Sequence, residues 1–197
     1  MIVKGAWPRK PRLPRAFYPT LQGMNARRLA GVFVVCSLTV ACSGSEAPPA
    51  QSADMAPALS PLLAARPYQV ELPDSDARPA PLVVVLHGFT ANGLVQDAYF
   101  GMSRFGRSRG IITAFPDGTK NSMGQRFWNA TDGCCDFDRS GVDDVAYLTA
   151  VIDDAIARHG ADPRRVYLLG HSNGGFMSYR MACDRSDRIA AFASLAG

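Results

Sequence analysis

The sequence predicts an α/β fold, in which a mostly parallel β-sheet carries helices on both faces. Three observations predict it. Short runs of β-branched and aliphatic residues, typical of strands buried on both faces, recur within residues 66–197. Segments with apolar residues at helical spacing separate these runs, and such alternation is typical of parallel sheets. The composition, 47% hydrophobic and 19% charged, is that of a globular protein and excludes a disordered or fibrous one.

The first half of the predicted domain contains three strands and one helix. Residues 68–72 alternate polar and apolar side chains and predict an edge strand, whereas residues 81–86 predict a buried strand. Residues 95–109 predict one helix, and residues 111–115 predict a second buried strand that stops at a Pro-Asp-Gly turn. Residues 119–141 predict a long irregular loop.

The second half begins with a strongly amphipathic helix. Its apolar residues fall at helical spacing from Val145 to Ile156, and Asp143 or Asp144 is available as its N-cap. The remaining elements continue the alternation: a third strand at residues 165–169, a helix at 173–183 and a fourth buried strand at 189–195.

Residues 1–41 predict a leader that directs the chain to export. Residues 29–41 carry no charge and follow two arginines. This run matches the apolar region of a secretory signal peptide and is shorter than the roughly 20 residues that a membrane-spanning helix needs. Met24 is the favoured start, because residues 24–28 make a normal n-region of a signal peptide; an unusually long n-region that includes residues 1–23 is the alternative.

The excess of basic charge is confined to this leader. Residues 1–28 contain seven basic residues and no acidic residue. The rest of the chain has 14 basic against 17 acidic residues, a net charge of −3. A domain without surplus cations is poorly suited to phosphate backbones, which argues against nucleic acid as a partner.

Cys42 is predicted to carry a lipid. The small residues before it resemble a bacterial lipobox, in which the cysteine thiol is lipidated and becomes the new N-terminus. The protein would then reach the membrane through this anchor; ordinary signal cleavage nearby, with Cys42 incidental, is the alternative. Residues 42–65 are rich in Ser, Ala and Pro and predict a flexible tether to a domain at residues 66–197.

Three cysteines fall within the predicted domain: Cys134, Cys135 and Cys183. Exported proteins occupy compartments that permit disulfides. We therefore expect Cys183 to pair with Cys134 or Cys135. Zinc binding is disfavoured, because the sequence offers no Cys-x-x-Cys pair and no histidine near these residues.

A candidate nucleophile follows the third buried strand. Residues 170–174 read Gly-His-Ser-Asn-Gly, between a predicted strand and a predicted helix. In that context Gly-x-Ser-x-Gly places the serine on a tight turn at the carboxyl edge of the sheet, and the glycines let neighbouring backbone pass closely. The motif predicts Ser172 as the nucleophile of an acyl-transfer reaction.

Two backbone N–H groups are predicted to form an oxyanion hole. Such a site needs two donors aimed at the oxygen where negative charge develops. Asn173 follows the serine directly, and Phe89 lies in the His-Gly-Phe-Thr segment after the strand at residues 81–86. We expect the N–H groups of Phe89 and Asn173 to be these donors, and His87 to shape the loop rather than take part in catalysis.

The acid and the base of a serine hydrolase are not found after the nucleophile. In the α/β-hydrolase order they follow the serine as Asp or Glu and then His. The 25 residues after Ser172 contain Asp184 and Asp187, near the end of the predicted helix, and no histidine. We therefore expect a domain truncated at its C-terminus, without the acid, the base and part of the sheet. The alternative is a truncated, inactive lipoprotein that acts as a non-catalytic binder or is a remnant.

Several motifs together resemble the poly(3-hydroxybutyrate) depolymerase family of α/β-hydrolases, which is grouped with feruloyl and acetylxylan esterases and includes lipoprotein members. The resemblance covers residues 66–197, the amino-terminal part of such a domain. The motifs that carry it are Leu-His-Gly at 86–88, Phe-Pro-Asp-Gly at 115–118, Phe-Trp-Asn-Ala at 127–130, Cys-Cys at 134–135 and Gly-His-Ser-Asn-Gly-Gly at 170–175.

The resemblance implies an exported serine ester hydrolase that works through an acyl-enzyme on Ser172 and needs no metal or organic cofactor. Polyester, hydroxycinnamoyl and acetyl-sugar esters are the implied substrates, and a peptide or thioester on the same fold stays open. Trp128 would line the acyl pocket or, alternatively, cover the sheet edge as a core aromatic.

Overall fold

The computed structural model describes residues 58–197. The predicted signal peptide, Cys42 and residues 43–57 of the predicted tether lie outside the described residues. Within residues 58–197, no helix combines the length and the apolar character needed to cross a membrane.

The centre of the fold is a five-stranded sheet, and a two-stranded hairpin lies apart from it. The strands are β1 (Gln69–Glu71), β2 (Ala80–Leu86), β3 (Ile112–Phe115), β4 (Thr119–Lys120), β5 (Arg126–Phe127), β6 (Ala161–His171) and β7 (Ala191–Leu195). The order in the five-stranded sheet is β1-β3-β2-β6-β7. Only β1 is antiparallel to its neighbour in this sheet, and it lies at one edge as the sequence predicts. The hairpin, β4–β5, interrupts the predicted loop at residues 119–141.

Helices cover both faces of this sheet. They are α1 (Pro61–Ala65), α2 (Gly93–Phe100), α3 (Met102–Arg109), α4 (Asp144–His159) and α5 (Asn173–Asp184). On one face, Leu82 of β2 shares a buried apolar cluster with Val151 of α4 and Met181 of α5. On the other face, α3 approaches β3 so closely that a Cβ on Gly106 would lie 2.7 Å from Thr113 Cγ2. The predicted α/β architecture is confirmed.

The prediction of one helix at residues 95–109 was wrong. The chain forms α2 and α3 instead, which meet at Gly101. Gly101 has a φ of 66°, in the left-handed region that glycine tolerates and that an α-helix cannot continue through.

The predicted tether is shorter at its C-terminal end than residues 42–65. Residues 61–65 form α1, and Leu63 is 1% exposed and belongs to the main core cluster. Arg66, directly after α1, pairs with the buried carboxylate of Asp144 at 2.8 Å. Burial of one leucine and one ion pair therefore fixes this segment to the domain.

The N-cap of α4 is Asp143, one of the two predicted candidates. Its side chain accepts a hydrogen bond from the Ala146 N–H at 2.8 Å. Asp144 is buried instead, and its Oδ2 accepts from the Asn129 N–H at 2.8 Å. Burial raises the pKa of Asp144, although Arg66 acts in the opposite direction.

The predicted fourth strand forms, but the prediction that both of its faces are buried was wrong. β7 forms and pairs with β6, but its residues alternate between exposed and half-buried. Leu195 is 43% exposed. β7 lies at an edge of the sheet among the described residues, and α5 is the described helix that packs against it. The alternating burial shows that one face of β7 is less covered than the other.

Candidate active site

Ser172 stands on a strained turn between β6 and α5. Its φ is 51° and its ψ is −119°, a conformation that residues with a side chain rarely adopt. The Ser172 N–H donates to the Leu195 carbonyl at 2.7 Å, so β7 helps to hold the turn. This geometry is that of the predicted nucleophile elbow.

The two motif glycines are required by close backbone contacts. A Cβ on Gly170 would collide with the carbonyl oxygen of Gly174, and a Cβ on Gly174 would collide with the carbonyl oxygen of Leu86. The second contact seats the start of α5 directly against the carboxyl end of β2. The elbow and the loop that follows β2 are therefore neighbours in space.

The loop at residues 87–92 lies beside the serine. A Cβ on Gly88 would stand 3.5 Å from Ser172 Cβ and 3.1 Å from His171 Nδ1. Thr90 in this loop has a φ of 69°, which is a rare conformation for a β-branched residue. Two strained residues with side chains thus occur at the same edge of the sheet.

Three of the six N–H groups of this loop have acceptors within the described residues. The Gly88 N–H donates to Gln96 Oε1 at 3.2 Å, the Thr90 N–H to the Arg126 carbonyl at 2.8 Å and the Ala91 N–H to the Gly88 carbonyl at 3.1 Å. The Phe89 N–H donates to no acceptor in residues 58–197, and neither does the Asn173 N–H at the start of α5. These are the two N–H groups that the sequence nominates for the oxyanion hole.

His87 is buried and has a structural place, as expected from the sequence. The Gly118 N–H donates to its Nε2 at 2.9 Å. Its Nδ1 therefore carries the proton and donates to the Gly88 carbonyl at 2.8 Å. Burial lowers the pKa of His87, so the ring is neutral near pH 7.

The expectation that Trp128 lines a substrate pocket was wrong. Its side chain is fully buried in the core cluster, which is the alternative that the sequence left open. The indole Nε1 donates to the His87 carbonyl at 3.0 Å, and the ring stacks on Tyr147 at 6.5 Å between centroids. A side chain without exposed surface cannot contact a substrate that arrives from solvent.

Exposed aromatic rings stand around the elbow instead. Tyr99, 64% exposed on α2, packs against the His171 ring at 5.4 Å between centroids. Phe137, 62% exposed in the loop after β5, meets Phe89 edge to face at 5.5 Å. Tyr99 therefore adjoins the elbow through His171, and Phe137 adjoins the loop at residues 87–92 through Phe89. No sequence motif singled out either ring.

None of the three histidines is placed as a base for Ser172. His87 is held in the core, and His171 adjoins the serine with its ring against Tyr99. His159 ends α4, where it lies 3.9 Å from an Asp154 oxygen, and burial lowers its pKa. Asp184 and Asp187 pair with arginines on the surface. Within residues 58–197, no histidine is therefore placed to take a proton from Ser172.

The expected disulfide between Cys183 and the cysteine pair was wrong. Cys134 is bonded to Cys135, its neighbour in the chain. Cys183, near the C-terminal end of α5, is exposed and has no disulfide partner among residues 58–197. Cys135 is 2% exposed, so its sulfur is enclosed by the domain while the Cys183 thiol faces solvent.

Sequence reasoning missed the side chain of Asn173. Its Oδ1 accepts from the Trp128 N–H at 2.7 Å, and its Nδ2 donates to the Trp128 carbonyl at 2.9 Å. The pair joins residues 45 positions apart, and no local pattern carries that information. The only signal in the sequence was that an amide directly follows the serine and that a tryptophan segment lies upstream.

Comparison with known proteins places these features in a family. A sequence profile of the prolyl oligopeptidase family matches residues 99–197, half of the chain, including the elbow. The chain belongs to this family. The profile and the strained serine turn both agree with an α/β-hydrolase fold.

The similarity to individual esterases and depolymerases is modest, and it covers only part of each chain. Feruloyl esterase B of Piromyces equi is 32% identical over 114 residues, 58% of this chain and 20% of that protein. Poly(3-hydroxyalkanoate) depolymerase C of Paucimonas lemoignei is 32% identical over 118 residues, 60% of this chain and 28% of that protein. The predicted resemblance to these esterases and depolymerases is confirmed.

One solved structure confirms the fold. The acetyl xylan esterase from Aspergillus awamori superposes with a TM-score of 0.52 at 21% identity, over 66% of this chain and 47% of that one. The chain of this prolyl oligopeptidase family member thus spans a fifth to a half of the proteins named here.

Proposed function

We propose that this protein is an exported serine ester hydrolase in which Ser172 is the nucleophile. The observation that carries the proposal is the strained Ser172 turn beside two N–H groups, of Phe89 and Asn173, that have no acceptor in the described chain. Similarity to proteins named as esterases supports an ester as the substrate.

The chemistry follows from this arrangement. Ser172 Oγ attacks the ester carbonyl carbon, and the carbonyl oxygen becomes an oxyanion that accepts hydrogen bonds from the Phe89 and Asn173 N–H groups. The alcohol leaves as the tetrahedral intermediate collapses to an acyl-enzyme, and water then releases the acid. Removal of one such donor lowers kcat by roughly 100- to 1000-fold in serine hydrolases, so both are central.

The proposal assigns to this chain the nucleophile and the oxyanion donors. A complete triad adds a histidine that takes the serine proton and an acid that orients the histidine. The histidines described above serve other contacts, so the proposal places neither role on them. An added small base can stand in for the histidine, and the test below uses this.

The substrate is proposed to be a carboxylic ester with an apolar acyl group. Exposed rings of Tyr99 and Phe137 flank the elbow, and neither brings a charge to it. Polyester and hydroxycinnamoyl esters fit this surface, and an acetyl ester uses less of it. The family profile also names peptidases, so a peptide substrate belongs in the same test.

Export and anchoring form the second part of the proposal. The uncharged run at residues 29–41 and the small residues before Cys42 support a cleaved signal and a lipid on Cys42. In a bacterial host, the wild-type protein is expected to enter the detergent phase of a Triton X-114 partition. Cys42→Ser is expected to remain in the aqueous phase, and equal partition of the two would refute the anchor.

The central test measures acylation of Ser172 with imidazole as the external base. The purified protein is mixed with p-nitrophenyl butyrate, and p-nitrophenolate release is followed with increasing imidazole. We expect a burst of p-nitrophenolate whose amplitude scales with the amount of protein and whose rate rises with the imidazole concentration. The peptide that contains Ser172 should gain the mass of a butyryl group. A peptide p-nitroanilide in parallel shows whether amides are cleaved.

The controls separate this reaction from background. Ser172→Ala is expected to reduce the rate to that of imidazole alone, whereas Ser186→Ala, which removes an exposed hydroxyl elsewhere, is expected to retain the burst. A burst that survives in Ser172→Ala would show that the proposed nucleophile is wrong.

A further inference from the structure

The two proposed oxyanion donors belong to different parts of the fold. The Phe89 N–H lies in the loop after β2, and the Asn173 N–H begins α5. A transition state needs both donors at hydrogen-bond distance from one oxygen, about 2.7–3.1 Å. Something must therefore fix the loop and the helix relative to each other.

Trp128 joins them through hydrogen bonds on two sides. Its indole Nε1 donates to the His87 carbonyl at 3.0 Å, on the loop side. Its backbone N–H and carbonyl pair with the Asn173 side-chain amide at 2.7 and 2.9 Å, on the helix side. All three residues are 0% exposed, so water does not compete for these bonds.

The His87 ring extends the link to the donor itself. The Gly88 carbonyl and the Phe89 N–H belong to one planar peptide unit and point in opposite directions. The His87 Nδ1–H holds that carbonyl at 2.8 Å, and the Gly118 N–H holds the other ring nitrogen at 2.9 Å. The His87 ring, whose centroid lies 5.0 Å from that of Trp128, therefore contributes to the orientation of the Phe89 N–H. The Ala91 N–H, which donates to the same Gly88 carbonyl at 3.1 Å, is the second contribution.

We propose that Trp128 is a positioning residue that sets the spacing of the two oxyanion donors through His87 and Asn173. This inference rests on the proposed function, because it assigns a purpose to the two donors. It differs from a simple core role in one respect. The indole N–H and the Asn173 amide would govern the rate of acyl transfer, and not only the stability of the fold.

Trp128→Phe tests this by removing the indole N–H while an aromatic ring remains. Tyr147→Phe is the matched control, because it removes a hydroxyl from the ring that stacks on Trp128. In the imidazole-assisted assay we expect Trp128→Phe to lower the maximal acylation rate by about 10- to 100-fold with KM unchanged. Tyr147→Phe should acylate at the wild-type rate.

A thiono ester separates positioning from stability. Replacing the carbonyl oxygen by sulfur weakens hydrogen bonds from the oxyanion donors, so an aligned hole gives a large rate ratio of oxygen to sulfur ester. We expect this ratio to shrink in Trp128→Phe and to stay unchanged in Tyr147→Phe. A residue that only stabilises the fold would leave the ratio at the wild-type value well below the melting temperature.

A readout without chemistry distinguishes a failure of this inference from a failure of the proposed function. The amide ¹⁵N and ¹H shifts of Phe89 and Asn173 should move in Trp128→Phe by more than in Tyr147→Phe. If wild-type protein does not acylate but these shifts move, the proposed function fails, and only the structural placement of the two N–H groups by Trp128 is supported. Unchanged shifts with an unchanged rate and ratio would overturn the positioning role.

Asn173→Ala provides a second variant if Trp128→Phe does not fold. It removes both side-chain bonds to Trp128 and retains the backbone N–H of residue 173. The same loss of rate, with the same fall in the oxygen-to-sulfur ratio, is expected. A wild-type ratio in Asn173→Ala would contradict the proposed link on the helix side.

Discussion

Two residues of the candidate site have a strained backbone conformation. Ser172 and Thr90 both have positive φ values, although neither is a glycine. Each such residue costs roughly 1–3 kcal/mol and persists only where its surroundings hold it. Here the holding bonds are the Ser172 N–H to Leu195 and the Thr90 N–H to Arg126. The strained residues are therefore the chain neighbours of Phe89 and Asn173, whose N–H groups have no acceptor within residues 58–197.

The tight contact of Gly174 gives the first prediction at this scale. Gly174→Ala would press a methyl group into the carbonyl of Leu86, so the start of α5 must shift. We expect a loss of about 1–3 kcal/mol in the free energy of unfolding, measured by urea denaturation. Gly133→Ala is the control, because its nearest contact is an ordinary 3.7 Å, and it should be nearly neutral. Equal effects of the two variants would contradict the close packing of the elbow.

The buried His87 gives a pH prediction. Its folded pKa is lowered by burial, so the unfolded chain binds the proton more readily. The stability due to neutral His87 is complete above the unfolded pKa of about 6.5 and is lost as the pH falls towards the lower folded pKa. We expect the free energy of unfolding to decline from pH 7 to 5, and to decline less steeply in His87→Gln.

His159 provides the control for that measurement. Burial also lowers its pKa, but it is only partly buried and lies at the end of α4. His159→Gln should therefore change the pH dependence less than His87→Gln does. A larger effect of His159→Gln would show that the acid sensitivity arises outside the candidate site.

The local backbone of the candidate site could be predicted from the sequence better than its surroundings. Ser172, Phe89 and Asn173 occupy the places that the motifs nominate, because the Gly-x-Ser-x-Gly turn is a local structure. Trp128 could not be placed, since local sequence does not tell a buried indole from one that lines a pocket. The bond between Cys134 and Cys135 was likewise outside what spacing can decide.

At the scale of elements, α1 extends the domain towards the N-terminus. Leu63 on α1 packs in the main core, while Leu62 beside it is 44% exposed. Arg66 then lies over the Tyr147 ring at 3.5 Å and pairs with Asp144. A five-residue helix is too short to be stable alone, so these contacts hold it.

Leu63 and Leu62 make a matched pair for testing this element. Leu63→Ala should lower the free energy of unfolding by about 2–5 kcal/mol, because it leaves a cavity in the core. Leu62→Ala should change it little. Thermal and urea denaturation measure both, and an equal response would mean that α1 is not part of the folded domain.

Strong periodicity explains which elements were predictable. Patterns that many residues share, namely buried apolar runs and helical spacing of apolar residues, predict the strands β2, β3 and β6 and the helix α4. The break at Gly101 and the helix at residues 61–65 each depend on one or two residues, whose conformation tertiary contacts decide. The half-exposed face of β7 depends on its place at the edge, which composition does not encode.

At the scale of the whole molecule, β7 leaves one strand edge unpaired within residues 58–197. An open edge with exposed apolar side chains favours association between copies. We expect the 197-residue chain to show concentration-dependent association in sedimentation velocity. Leu195→Lys should reduce it, whereas Leu94→Lys, on α2 and 66% exposed, should not. Association unaffected by Leu195→Lys would exclude this edge as the cause.

The single buried indole of the domain has a practical consequence. The chain contains two tryptophans, Trp7 and Trp128, and the proposed cleavage before Cys42 removes the first. All intrinsic tryptophan fluorescence of the processed protein would then come from one ring, 5.0 Å from that of His87. Its emission maximum and fluorescence lifetime would report on the surroundings of the proposed oxyanion hole without any attached label. The signal could be followed during unfolding, acidification or ester turnover.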